Sequence, residues 1–266
     1  MENSLYTPSE VLDNNINGEV TKANLPLGKM ILLGLLAGAF IAIGGAASNV
    51  AVHNISNVGL ARTLAGAIFP VGLMLVVLVG GELFTGNCLM LMAYFDKKIS
   101  GSSFLRNLII VYISNLVGAL IIDVLLFFSG QFNYTNGGLG AYTIKVAITK
   151  TTISPGAAIA SGILCNILVC LAILMASAAK DVAGKILAIF FPIMAFVICG
   201  FEHCVANMFY IPAGIMALKE YGVEAKGLNW FNFFITNELP VTIGNLIGGI
   251  SLSVAFWFTQ SQKAKK

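Results

Sequence analysis

Charge is what this sequence has least of. Fifteen Lys or Arg and twelve Asp or Glu are spread over 266 residues, 10% of the chain, where a soluble domain carries about 25%. So few charges cannot cover a water-facing particle of this size, so most of the surface must face lipid. The net charge of +3 is too small for a nucleic-acid binder. The 58% hydrophobic content excludes a disordered chain. No Cys-x-x-Cys pair occurs. Cys88, Cys165, Cys170, Cys199 and Cys204 are odd in number and lie in apolar runs, which argues against a disulfide framework. Residues 1–24 are polar, with no apolar run after a basic start, so no signal peptide is expected.

What is present is apolar length. A membrane helix needs about 20 mostly apolar residues. No charge falls between Lys29 and Arg62, which places a first span near 30–53. The second lies between Arg62 and Asp96, interrupted by Glu82. A third covers 104–128, and a fourth opens at Ser154-Pro155 and runs to 179, Ser before Pro being a helix-start signal. The fifth covers 186–218, interrupted by Glu202, and the sixth follows Asn237 to 259. Ten Lys and Arg, Lys22, Lys29 and Lys185 among them, fall on one side of these spans. Arg62, Lys145, Lys150, Lys219 and Lys226 fall on the other. That bias puts both termini in the cytoplasm of a multi-pass protein of the cytoplasmic (inner) membrane. Residues 1–28 form a cytoplasmic segment, 29–260 the membrane domain, and 261–266 a basic tail. Thr7-Pro8-Ser9-Glu10 is a capping box, which would start a short amphipathic helix with Leu5, Val11, Leu12 and Ile16 on its apolar face.

The chain repeats itself. Phe69-Pro70, Glu82 and Asn87 in span two are echoed by Phe191-Pro192, Glu202 and Asn207 in span five. Asn115-Leu-Val-Gly-Ala-Leu in span three matches Asn245-Leu-Ile-Gly-Gly-Ile in span six. The halves, about 29–130 and 150–260, hold three spans each. Three is odd, so the second half must enter the membrane upside down. The expected fold is therefore an all-α membrane protein of two inverted three-helix repeats, with interrupted helices 2 and 5. This is a transporter and channel signature. A Glu at the bilayer centre costs roughly 2.5–3.5 kcal/mol and must be paired. Glu82 and Glu202 are read as braces of two unwound loops, accepting from freed backbone N–H groups.

The polar residues near these breaks are the candidate site. Between 63 and 96 and between 186 and 218 there is no Lys or Arg, which would bind an anion too firmly for conduction. His203 is the midplane imidazole. When neutral it donates to an anion, and when protonated it can pass a proton, so a small acid could cross the dry step nearly uncharged. Thr85, Asn87, Asn166, Asn207 and Asn245 are its candidate polar companions. Phe69, Leu73, Leu83 and Phe196 are either core or apolar constrictions, and Lys22 and Lys150 flank opposite mouths. His53 reads as an ordinary end-of-span residue. From another class, a membrane metal or redox subunit could use Cys199, His203 and Cys204, but a fourth ligand is missing and Cys204 would not share a helix face with the other two. No cofactor is called for, and no enzyme. A water or glycerol pore lacks the paired Asn-Pro-Ala such a reading needs.

Glu-Leu-Phe-Thr-Gly-Asn at 82–87 and Gly-Phe-Glu-His-Cys-Val-Ala-Asn-Met-Phe at 200–209 resemble the formate/nitrite transporter family, over essentially all six spans. The resemblance implies a homopentamer with an aquaporin-like protomer and a pore through each. It implies passage of formate, nitrite or hydrosulfide, by a channel or by proton-coupled transport. It makes His203 the central pore histidine, with Thr85 and Asn166 as neighbours and Asn245 as the polar residue of span six. Leu83 and Phe196 become the cytoplasmic constriction, and Phe69 and Leu73 the outer one. Glu202 becomes a loop brace, and Lys22 and Lys150 vestibule lysines. The small residues Gly44-Gly45-Ala46-Ala47-Ser48, with Thr-Gly-Asn at 85–87, lean toward the hydrosulfide-channel branch.

Overall fold

The computed structural model describes residues 5–222 and 225–261; of the expected basic tail, 262–266 lie outside the described residues. The first helix, α1 (Pro8–Ala23), starts at the expected capping box. Thr7 N–H donates to Glu10 Oε2 (2.7 Å), and Glu10 N–H donates to Thr7 Oγ1 (3.4 Å). Val11, Leu12 and Ile16 bury against Leu89, Met92 and Leu174, whereas Leu5 stays exposed. Leu5 departs from the expected apolar face because it precedes the helix and pairs instead with Ala179.

The first repeat opens with α2 (Leu27–Val52). Next, α3 (Val58–Ile68) breaks at Phe69-Pro70, where the proline ring removes a backbone donor. The chain resumes as α4 (Val71–Leu75), which widens into a π turn over Val76–Gly80. Residues 81–85 leave the helix. A 3₁₀ turn at Gly86–Leu89 and α5 (Met90–Phe95) then complete the span, and α6 (Gly101–Phe128) closes the repeat. One helix was not foreseen: α7 (Gly138–Thr151) lies between spans three and four and carries Lys145 and Lys150. It is too short to cross a membrane and only moderately apolar, so a search for long uncharged runs passes over it.

The second repeat follows with α8 (Pro155–Ala178), then α9 (Val182–Cys199), which ends at Gly200 in the left-handed region, φ +71°. After three irregular residues, α10 (Cys204–Tyr221) completes span five. The sixth span is α11 (Trp230–Asn232), a π turn at Phe233–Glu238 and α12 (Leu239–Gln260). Among the described residues, six segments are long and apolar enough to cross a bilayer. The halves are inverted: Tyr6 N–H donates to the carbonyl of Ala178 at the end of α8 (2.9 Å). The end of α8 thus lies on the face where α1 passes into the start of α2.

Close helix crossings hold each half together. A Cβ at Gly118 would overlap the carbonyl oxygen of Leu35, joining α6 to α2. One at Gly248 would overlap that of Ile163, joining α12 to α8. Small residues that let backbones touch are how apolar helices associate where no water drives them together. Gly44 packs on the Phe69 carbonyl (a Cβ there would lie 2.8 Å away) and Gly45 on the Phe209 ring (2.6 Å). The small-residue run of α2 is therefore helix packing. Gly248→Ala should lower thermal stability by about 1–3 kcal/mol through overpacking. Gly28→Ala, where nothing lies within 4 Å, should change little. Thermal unfolding in detergent checks both.

Candidate functional site

Unwinding a helix inside a membrane frees backbone groups that have no water to bond. Two buried asparagines take them up. Asn115 Nδ2 donates to the carbonyls of Gly34 (2.8 Å) and Glu82 (2.9 Å), and its Oδ1 accepts from Phe84 N–H (2.9 Å). Asn245 does the same in the other half. It donates to Gly162 O (2.8 Å) and Glu202 O (3.0 Å) and accepts from Cys204 N–H (2.9 Å). Asn245 is thus a brace of the loop and not a pore-lining group.

The glutamates are held beside these caps, by amides and a lysine where free backbone N–H groups were expected. Asn87 donates to Glu82 Oε2 and to Asn107 Oδ1, both at 2.7 Å. Asn207 donates to Glu202 Oε2 and to Asn237 Oδ1, again both at 2.7 Å. Lysines complete the two hubs differently. Lys150 pairs with Glu202 Oε1 at 2.9 Å, while Lys22 reaches Asn87 Oδ1 (3.1 Å) and Glu19 Oε1 (3.1 Å). Backbone N–H groups were the wrong expected donors because they are engaged elsewhere: those of Phe84 and Cys204 donate to Asn115 and Asn245, that of Glu82 to Leu33 O and that of Glu202 to Ser161 Oγ. Asn107 and Asn237 were missed, although they stand 130 residues apart, as Asn115 and Asn245 do.

A line of cavities runs between the lysines. On the α1 face a cavity of about 540 Å³ is lined by Lys22, Glu82, Leu83 and Asn87. On the opposite face Lys150, Tyr210, Phe69, Phe196 and His203 line one of about 130 Å³. Between them Ile41, Leu73, Leu83, Val169, Ile193, the two phenylalanines and His203 enclose about 10 Å³, room for one water at most. Phe69 meets Phe196 edge to face at 5.6 Å, and Phe196 stacks on His203 at 6.0 Å. Phe196 therefore closes the Lys150 side together with Phe69, not the α1 side with Leu83. The reason is that α9 has not yet ended at Phe196, whose ring turns toward α3. Leu73 lines only the chamber between.

His203 is buried at the start of α10, where its Nδ1 accepts the Ala206 N–H at 3.0 Å. That bond assigns the ring's proton to Nε2, which lies 2.9 Å from Thr85 Oγ1. Thr85 then keeps its own O–H to donate. The structure thus brings His203 and Thr85 together and leaves the other four expected companions elsewhere. Asn166 donates to Asn245 O (2.7 Å) and lies against Cys88. Asn207 and Asn245 serve the hubs, and Asn87 faces the Lys22 cavity. Cys199, the metal alternative's first ligand, is exposed, apart from the buried imidazole.

Glu19 ties α1 to the Lys22 cavity. Burial pushes its carboxyl up from 4.5 to about 7, against the pull of Lys22, and its Oε2 has no partner. The docked helix therefore holds this proton more tightly than a released one. The stabilisation is complete below about pH 4.5 and is lost as pH rises through about 7. The protection of α1 amides in hydrogen exchange, with the intrinsic pH dependence divided out, should fall between about pH 5 and pH 8, and Glu19→Gln should flatten that fall.

Comparison with known proteins agrees with this fold. A profile of the formate/nitrite transporter family matches residues 9–259. A probable formate transporter of Methanothermobacter thermautotrophicus is 41% identical, over 90% of this chain and 91% of its own. A solved pentameric formate channel with formate bound superposes with TM-score 0.78 at 33% identity, covering 88% of this chain and 96% of that one. An FNT family ion channel gives TM-score 0.85 at 27% identity, covering 95% and 99%. The chain is a multi-pass membrane protein that belongs to the formate/nitrite transporter family, whose members are channels and transporters rather than enzymes.

Proposed function

We propose that the chain forms a channel for a small monovalent anion, formate in the first place, with both termini cytoplasmic in the cytoplasmic membrane. The observation that carries the reading is the buried His203–Thr85 pair at the edge of an apolar chamber, between two cavities that each hold a lysine. Lys22 and Lys150 draw the anion to either mouth, while the waist holds no permanent cation that would trap it. The names of the relatives support formate. Nitrite and hydrosulfide have the same charge and similar size. Of the two features behind the hydrosulfide lean, the small residues of α2 are occupied in packing, which leaves Thr85-Gly86-Asn87 to carry it. The solved relative's pentamer supports a homopentamer here.

At the waist we assign His203 the part of a neutral donor. Its Nδ1 is engaged by Ala206 N–H, so a second proton on the ring would cost that cap. The Thr85 O–H, and the imidazole N–H once it turns from Thr85 Oγ1, can meet the anion's oxygens as it passes Phe69 and Phe196. Sharing a proton with the anion is the second reading. It is favoured by the chamber's dryness, which a bare charge would cross only at high cost.

Formate flux into proteoliposomes tests this. Thr85→Val should lower the flux about tenfold, the loss of one hydrogen bond to a charged group. His203→Asn should lower it too, with a pH profile parallel to that of the wild type. Unchanged flux in both variants would reject the site, and a pH dependence that vanishes with the imidazole would favour proton sharing.

A further inference from the structure

The face that holds Lys150 carries a second cavity outside the path described so far. It encloses about 630 Å³ and is walled by His53, Ser56, Arg62, Tyr142, Lys145 and Thr149. Among the described residues no Asp or Glu lines it, so two permanent cations face it without a carboxylate. The cavity on the α1 face differs: there Lys22 and Lys185 share the walls with Glu19 and Glu82. This cavity and the one on the α1 face are therefore electrostatically unlike.

Arg62 connects this cavity to the waist. Its Nη1 donates to the carbonyl of Ile198 (3.1 Å), near the end of α9, which fixes the guanidinium. A Cβ placed on Gly200 would lie 3.3 Å from the same nitrogen, and Gly200 lines the Lys150 cavity. The guanidinium thus forms the partition between the two cavities. At Gly200, whose φ of +71° favours glycine, no side chain stands between the guanidinium and that cavity.

We propose that the cavity is an antechamber for the permeating small monovalent anion, in which Arg62 and Lys145 collect it and hand it to Lys150. This rests on the channel reading above. Two loose cationic stations in series raise the anion's local concentration without a single tight site. Their donors, a fixed guanidinium, an ammonium and the hydroxyl of Ser56, suit carboxylate or nitrite oxygens.

Lys145 is exposed on α7, so Lys145→Glu tests the charge without disturbing the core. Arg62→Gln, which also gives up the Ile198 bond, serves as a second variant. Formate flux is measured by stopped flow in liposomes of phosphatidylcholine alone. At about 10 mM ionic strength, where charges act over about 30 Å, Lys145→Glu should lower the flux at low formate about threefold to fivefold. The loss should sit in the apparent KM, and about 1 M salt, with a screening length of about 3 Å, should erase it. Wild-type flux at low salt in both variants would overturn the proposal. So would a difference that appears only once phosphatidylglycerol is added, because the cavity would then hold a lipid phosphate. An absence of formate flux in the wild-type protein would instead overturn the channel reading itself.

Discussion

Two buried amide side chains make this architecture possible. A helix can be opened at the centre of a bilayer only if its freed N–H and C=O groups find partners, because lipid offers none. Asn115 and Asn245 each supply one acceptor and two donors within a single side chain, and each ties its loop to a neighbouring helix as well. The glutamates, the remaining asparagines and the lysines are built onto these clamps. They add rigidity and bring charge to the two mouths, at the cost of burying carboxylates that must then be fully bonded.

The two halves share this framework and diverge where they face the path. Glu82 and Glu202 mark equivalent positions, so the residue after each is the same point of the repeat seen twice. It is Leu83 in one half and His203 in the other. One loop therefore offers an apolar wall and the other a hydrogen-bond donor, which Thr85 of the first loop then meets. Symmetry builds the passage and its local failure furnishes it. A similar divergence links the halves elsewhere: Tyr112 and Thr242, 130 residues apart, lie within 3.1 Å of each other, and Tyr112 also donates to Glu238.

The spans, the inversion and the two breaks were legible because each rests on a coarse physical signal: uncharged length, an odd number of crossings, a carboxylate where none is cheap. The His203–Thr85 pair could be named from the motifs at 82–87 and 200–209. The asparagines were harder. An amide near a break can face a pore or clamp a loop with equal ease, and only coordinates separate Thr85, which meets the histidine, from Asn166, Asn207 and Asn245, which do not. Phe196 was assigned to the wrong side because ring orientation depends on where α9 ends. The helix α7 escaped notice because a short element lying outside the spans leaves no long apolar run.

The chamber between Phe69, Leu83 and Phe196 has a bearing on the energy balance of the membrane it sits in. With room for one water at most and, among the described residues, His203 as its one polar lining residue, it gives a water too few partners to hold it there, which interrupts a file of hydrogen-bonded water from face to face. Hopping of hydronium along such a file is therefore blocked in this conformation, and so is bulk osmotic flow. A cell could keep the passage in place without short-circuiting its proton gradient.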